Sequence, residues 1–153
     1  MRRSTRLFLF PDVNVWVALT HDGHKHHRLA LEWFSALGDG ARVFFCRITQ
    51  LGLLRLLSQP AVMGKQDVMS QADAWRAFDI WTSDDRVSLM QEPAGLEPEF
   101  RRLTGHQPLA APKDWADSYL SAFAQAGGLT LVTFDKGFAA RDTPTHILGK
   151  PAR

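Results

Sequence analysis

Lys113-Asp114-Trp115-Ala116-Asp117-Ser118-Tyr119-Leu120-Ser121-Ala122-Phe123-Ala124-Gln125-Ala126-Gly127-Gly128-Leu129-Thr130-Leu131-Val132-Thr133-Phe134-Asp135 reads as a helix, a stop and a strand in direct succession. The helix opens at Lys113-Asp114 and runs through Ala126. Gly127-Gly128 ends it, because glycine alone enters the left-handed cap without a steric penalty. Leu129 to Phe134 is then a short apolar run closed by an acid, which is a buried strand followed by a turn. A strand delivered straight from a helix is the unit of an α/β fold.

Outward from there the same alternation repeats. Leu7-Phe8-Leu9-Phe10 is an unbroken apolar run, read as a strand buried on both faces and ended by Pro11-Asp12. A helix follows from Val13. Leu29, Ala30, Trp33, Phe34 and Leu37 mark a second helix, closed by Gly38 and Gly40, and Val43-Phe44-Phe45 a second strand. Ile48 to Leu57 is helical, as is the stripe Ala72, Trp75, Phe78, Trp81. Val87 to Leu89 is a short strand, Leu96 to Leu103 a helix, and Thr145 to Leu148 a last strand. The expected architecture is a three-layer α/β sandwich around a mostly parallel sheet.

A chain of 153 residues has room for one domain, here 1–153 with a basic arm over about 1–6. With 45% hydrophobic and 22% charged residues it can bury a core, which excludes a disordered or fibrous protein. The formal charge of +2 owes three positives to Arg2, Arg3 and Arg6; the remainder, 15 basic against 16 acidic, is near neutral. Net charge therefore identifies no partner. Cys46, the one cysteine, makes no internal disulfide and no thiolate metal site, which fits a reducing, cytoplasmic setting. The apolar run after the arginines stops after four residues, too short for an export signal, and no segment approaches the ~20 apolar residues of a membrane span.

In an open parallel sheet the functional crevice lies beyond the carboxyl ends of the strands. Asp12 follows the first strand and Asp135 the fourth. Asp117 sits in the first turn of the helix leading into that fourth strand, with Asp114 three residues earlier on the same face. Each acid has an ordinary structural use: Asp12 as a helix cap, Asp114 with Asp117 as a capping pair, Asp135-Lys136-Gly137 as a turn. Capping does not require all of them to fall at one sheet edge. Carboxylates gathered there repel unless a cation neutralises them, and oxygen ligands favour Mg²⁺ or Mn²⁺.

Four segments carry a resemblance: Phe10-Pro11-Asp12-Val13-Asn14, Ile48-Thr49-Gln50-Leu51-Gly52-Leu53-Leu54-Arg55, Ala116-Asp117-Ser118-Tyr119-Leu120-Ser121-Ala122-Phe123-Ala124, and Leu131-Val132-Thr133-Phe134-Asp135-Lys136-Gly137-Phe138. In that order they resemble the motifs of PIN-domain ribonucleases, most nearly the VapC-type toxins of bacterial toxin-antitoxin pairs. The resemblance implies a metal-dependent endoribonuclease with Asp12, Asp117 and Asp135 as catalytic and metal-binding acids. Asn14 and Thr133 support them, RNA is the substrate, an antitoxin protein is a partner, and a homodimer is the expected assembly. Where the family pattern has a glutamate, this chain has Gln50, which brings no charge; Asp114 is a possible replacement. That departure leaves room for an alternative, a degenerate PIN domain that binds RNA or protein without cutting. A phosphotransferase using Asp12 as nucleophile is a third reading, but Asp12-Val13-Asn14 lacks the second aspartate such an enzyme needs.

Three further features are expectations of lesser weight. His21, His24, His26 and His27 read as a polar helix entrance, since no neighbouring carboxylate motif completes a metal site. Trp75, Phe78 and Trp81 read as core, while Trp16 or Trp115, if exposed beside the acids, could stack on a base. The helix from Ile48 to Leu57 holds more leucine than one core-facing stripe uses, so part of its surface should be covered by another chain.

Overall fold

The computed structural model describes residues 7–149; the basic arm expected over 1–6 lies outside them. Five strands form one sheet: β1 (Leu7–Pro11), β2 (Ala41–Phe45), β3 (Val87–Leu89), β4 (Thr130–Thr133) and β5 (Thr145–Ile147), in the order β3-β2-β1-β4-β5. Every pairing is parallel. Helices α1 (Val13–Thr20), α2 (His27–Ser35), α3 (Arg47–Leu57), α4 (Pro60–Met63), α5 (Gln71–Thr82), α6 (Leu96–Thr104) and α7 (Asp114–Gly127) supply the crossovers. Parallel neighbours require such crossovers, so the helix-strand alternation in the sequence and the all-parallel sheet are one fact seen twice.

Side chains alternate across the pleat, so the central strands β2, β1 and β4 feed two cores. On one face, Trp16 of α1 stacks on Phe45 at 3.8 Å between centroids, with Val43, Leu53, Leu57 and Phe78 packed around them. On the other, Phe10 stacks on Phe123 of α7 at 4.8 Å, enclosed by Leu96, Leu131 and Phe138. The layers are thus α1–α5, sheet, α6–α7. Gly128, at φ 68°, ends α7 in the left-handed region as the Gly-Gly pair predicts, and its N–H reaches back to Ala124 and Gln125.

The structure corrects several expectations. Leu7 and Phe8 are exposed, so β1 is buried only from Leu9 to Pro11. Trp16 is wholly buried and cannot meet a nucleotide. Trp75 is exposed, because the α5 stripe is broader than the core it faces, whereas Phe78 is buried as expected. The short α4, with Pro60 in its first turn, and a 3₁₀ turn over Lys136–Ala140 have no counterpart in the sequence reading. No helix among the described residues is long and apolar enough to cross a membrane.

Candidate metal centre and active site

The site is built at the carboxyl edge by the register of two central strands. Pro11 of β1 lies opposite Val132 of β4, and the Asp12 N–H extends the ladder by donating to the Val132 carbonyl at 2.9 Å. Asp12 and Thr133 therefore emerge side by side. The Thr133 hydroxyl donates to Asp12 Oδ2 at 2.5 Å and accepts from the Asp135 N–H at 3.0 Å. One buried hydroxyl thereby fixes a carboxylate and the backbone that carries a second.

Asp12 also caps α1, its Oδ1 accepting from the Val15 N–H at 3.1 Å. Asp135 caps the 3₁₀ turn, its Oδ1 accepting from the Gly137 N–H at 2.8 Å. A Cβ at Gly137 would stand 3.0 Å from that same oxygen, so glycine keeps the carboxylate from being pushed aside. The ordinary capping uses are thus real for these two acids, and they hold the carboxylates in place at the sheet edge. The capping pair considered for Asp114 and Asp117 is absent: Lys113 occupies the cap of α7, with no side-chain cap bond.

Electrostatics tie the acids together. The Asp12 carboxyl is buried, and burial pushes its pKa up to about 6 despite the Thr133 and Val15 bonds; the charge of Asp117 adds to the rise. Asp117 is half-buried and is also shifted upward, first by burial, with Asp135 and Asp114 adding and Arg141 opposing. A carboxylate destabilised by burial and by like charges is the environment a bound cation would relieve, and the donors are all oxygen. Asp12 and Asp117 fit a divalent cation in that sense, and Asp135 offers a third carboxylate beside them. Among the described residues the set of three acid or imidazole side chains whose ligand atoms all approach within 4.8 Å is a different one, His21, Asp22 and Asp67. The carboxylate oxygens of Asp12, Asp117 and Asp135 do not all approach one another that closely.

Asp114, the candidate replacement for the missing glutamate charge, is already engaged. Arg141 donates to its Oδ1 at 2.7 Å and Ser118 to its Oδ2 at 2.9 Å, while Arg141 also donates to Ser118 Oγ at 3.1 Å. The Ser118 bond and then Arg141 hold Asp114 below the usual carboxylate range. Gln50 is buried in the first turn of α3, at the carboxyl end of β2, and its Oε1 accepts from Arg47 at 2.6 Å. Asn14 is exposed and lines a groove along α3, while its backbone helps to hold the Asp12 carboxylate. Sequence reasoning missed Arg141, Ser118 and Arg47. The spacing of Asp114 and Ser118, one helical turn apart, was the available signal for Ser118; no local pattern marks Arg141.

The fold and the site define an α/β protein with a parallel sheet and acids from three separate segments near its carboxyl edge, with no phosphate-cradling glycine loop after β1. The PIN domain family model matches residues 9–143, so the chain belongs to the PIN-domain family. It is 41% identical over 133 residues to ribonuclease VapC41 of Mycobacterium tuberculosis, covering 85% of this chain and 90% of that one. To ribonuclease VapC38 of the same species it is 33% identical, covering 82% and 84%. Among solved structures it resembles M. tuberculosis VapC20, a Sarcin-Ricin loop cleaving toxin, with a TM-score of 0.64 and 21% identity over 88% of this chain and 95% of that one. VapBC2 of Rickettsia felis, solved on a promoter DNA fragment, gives a TM-score of 0.65 and 14% identity over 92% and 98%.

Proposed function

We propose that this protein is the endoribonuclease toxin of a toxin-antitoxin pair, hydrolysing RNA phosphodiester bonds with Mg²⁺ or Mn²⁺ held by Asp12, Asp117 and Asp135. The observation that carries it is the Thr133 hydroxyl joining Asp12 to the Asp135 backbone, with Asp117 electrostatically coupled to both acids. When bound, the cation polarises the phosphate and lowers the pKa of the attacking water. The chain's own residues set the stage. Thr133 and the Val15 N–H hold Asp12 rigid, Gly137 keeps Asp135 in its rotamer, and Arg141 restrains Asp114 while lowering the local negative charge that would repel RNA. Trp115 is exposed and stacks on Phe100 at 6.0 Å, one residue from Asp114; it offers a platform for an unpaired base.

The second reading, an RNA- or protein-binding PIN domain without activity, is favoured only by Gln50 and its bond to Arg47. Incubating the purified chain with total RNA, with and without chelator, separates the two: chelator-sensitive cleavage supports the nuclease and its absence the binding module.

Partners follow from the surface. Ile48, Leu51 and Trp75 are exposed and line a groove of about 1010 Å³ between α1, α3, α4 and α5. We assign this face to a second copy of the chain, with a cognate antitoxin sending a basic side chain toward the acids, where a guanidinium binds carboxylates bidentately and opposes cation entry. Light scattering at micromolar concentration tests the homodimer; a monomer at all concentrations rejects it and leaves the nuclease reading intact. The free Cys46 accords with action in a reducing cytoplasm, where RNA is.

A further inference from the structure

His21, His24 and His26, between α1 and α2, and His27, the first residue of α2, read in the sequence as a polar helix entrance, because no neighbouring carboxylate motif completes a metal site. The fold supplies one from elsewhere. Asp67, in the connection between α4 and α5, comes up to His21 and Asp22, and one ligand atom from each of the three lies within 4.8 Å of the other two. His21 is only 9% exposed, and its ring makes no side-chain hydrogen bond among the described residues. Its neighbours behave differently. His24 Nδ1 accepts from the His26 N–H at 3.0 Å, and His27 Nδ1 is bonded to the Ala18 carbonyl at 2.7 Å.

The rest of the fold leaves the ring's hydrogen-bonding capacity unused, and one ring nitrogen lies within 4.8 Å of two exposed carboxylates. The ring is also held from behind: a Cβ at Gly23 would stand 2.9 Å from His21 Cε1 and 3.1 Å from Nε2, so this position accepts only glycine while the ring stays where it is. In a tetrahedral site with bonds of ~2.0–2.1 Å, ligand atoms lie ~3.3 Å apart. Rotation of the two exposed aspartates toward the fixed ring closes the difference from 4.8 Å.

We propose that His21, Asp22 and Asp67 form a second cation site, separate from the acids at the sheet edge, that takes a Zn²⁺-class transition ion and fastens the α1–α2 loop to the α4–α5 connection. The imidazole decides the class. One nitrogen and two carboxylate oxygens suit Zn²⁺ better than Mg²⁺, which prefers an all-oxygen octahedron and keeps its waters. Two carboxylates against one neutral imidazole leave the bound Zn²⁺ charge-balanced, with a water free to complete the tetrahedron. The site's work is structural. The loop it fastens also carries His24 and His26, whose rings stack on Phe134 at 6.5 and 4.6 Å between centroids, so the clamp steadies the residue between Thr133 and Asp135.

The test is a ZnCl₂ titration of the full chain, purified without a histidine tag and stripped with chelator, in millimolar Mg²⁺ to occupy the all-oxygen site. Calorimetry and thermal melting are read on the wild type and on Asp67→Asn, Asp22→Asn, His21→Gln and His26→Gln. Asp67 is exposed, so Asp67→Asn keeps the fold, and an unchanged melting point without Zn²⁺ verifies this. The expected result is one Zn²⁺ per chain and a Zn²⁺-dependent rise in melting temperature. Affinity should fall at least roughly tenfold in Asp67→Asn and His21→Gln and stay unchanged in His26→Gln. The proposal is overturned if the wild type binds no Zn²⁺ under these conditions, if Asp67→Asn binds it as tightly as the wild type, or if His26→Gln is the variant that loses it.

Discussion

Replacing Asp12 by Asn should make the protein more stable in chelator at pH 8 while ending cleavage. Burial lifts the Asp12 pKa from 3.8 to about 6, so the folded state holds this proton about a hundredfold more tightly than the unfolded chain. That ratio corresponds to roughly 3 kcal/mol. The sign follows from the direction of the shift. Below pH ~4 both states are protonated and Asp12 costs nothing. As pH rises from ~4 to ~6 the unfolded chain ionises first, and wild-type stability falls until both states are charged. Asparagine has the same shape and does not ionise: its carbonyl can accept from Val15 N–H, and its amide can donate to Thr133 Oγ. The variant should therefore match the wild type near pH 4 and exceed it by up to roughly 3 kcal/mol at pH 8, or roughly 6–12 °C in melting temperature. Urea unfolding in chelator across pH 4–8 measures this. A variant equal to or weaker than the wild type at pH 8 would refute the claim that Asp12 is held charged at a cost.

Three further perturbations probe the surroundings. Thr133→Val removes a bond that favours the Asp12 anion, so the Asp12 pKa should rise further, the acidic limb of the cleavage profile should move to higher pH, and stability at pH 8 should drop by about 1–3 kcal/mol. Arg141→Ala releases Asp114 and removes the charge that opposes the rise at Asp117; Mg²⁺ affinity should increase several-fold at low salt and less at high salt, as calorimetry at two ionic strengths would show. Gln50→Glu should tighten Mg²⁺ less than tenfold, because Arg47 already faces this position, and adding Arg47→Ala should restore the missing part. An unchanged titration in both would remove Gln50 from the cation's surroundings.

The fold was legible because each strand ends in punctuation that physics enforces. The Pro11-Asp12 step that closes β1, the Gly127-Gly128 step that closes α7 ahead of β4, and Asp135 just beyond β4 mark the ends of elements, and they locate the sheet edge. Less visible was anything set by one element's distance from another. Trp16 and Trp75 have the same composition-level claim to the core, yet α1 lies against the sheet and α5 only partly does, so one is buried and the other faces a groove. The edge acids could be placed by strand endings, whereas Arg141 could not, since its bond to Asp114 spans 27 positions and depends on where the 3₁₀ turn aims the chain. Asp67 is the sharper case. It lies in a connection with no motif, and its approach to His21 depends on where α4 and α5, both packed on α3, leave that connection.

The account rests most heavily on the edge acids acting together on RNA through a divalent cation. Single-turnover cleavage of a defined single-stranded RNA, measured against Mg²⁺ concentration for the wild type and for Asp135→Asn, addresses it directly, with the folded state of the variant verified by its melting temperature. The expected result is a wild-type rate that rises from zero in chelator to saturation with Mg²⁺, and a folded Asp135→Asn protein that does not cut at any Mg²⁺ concentration. Cleavage that persists in chelator, or an Asp135→Asn rate equal to the wild type's, would contradict the account.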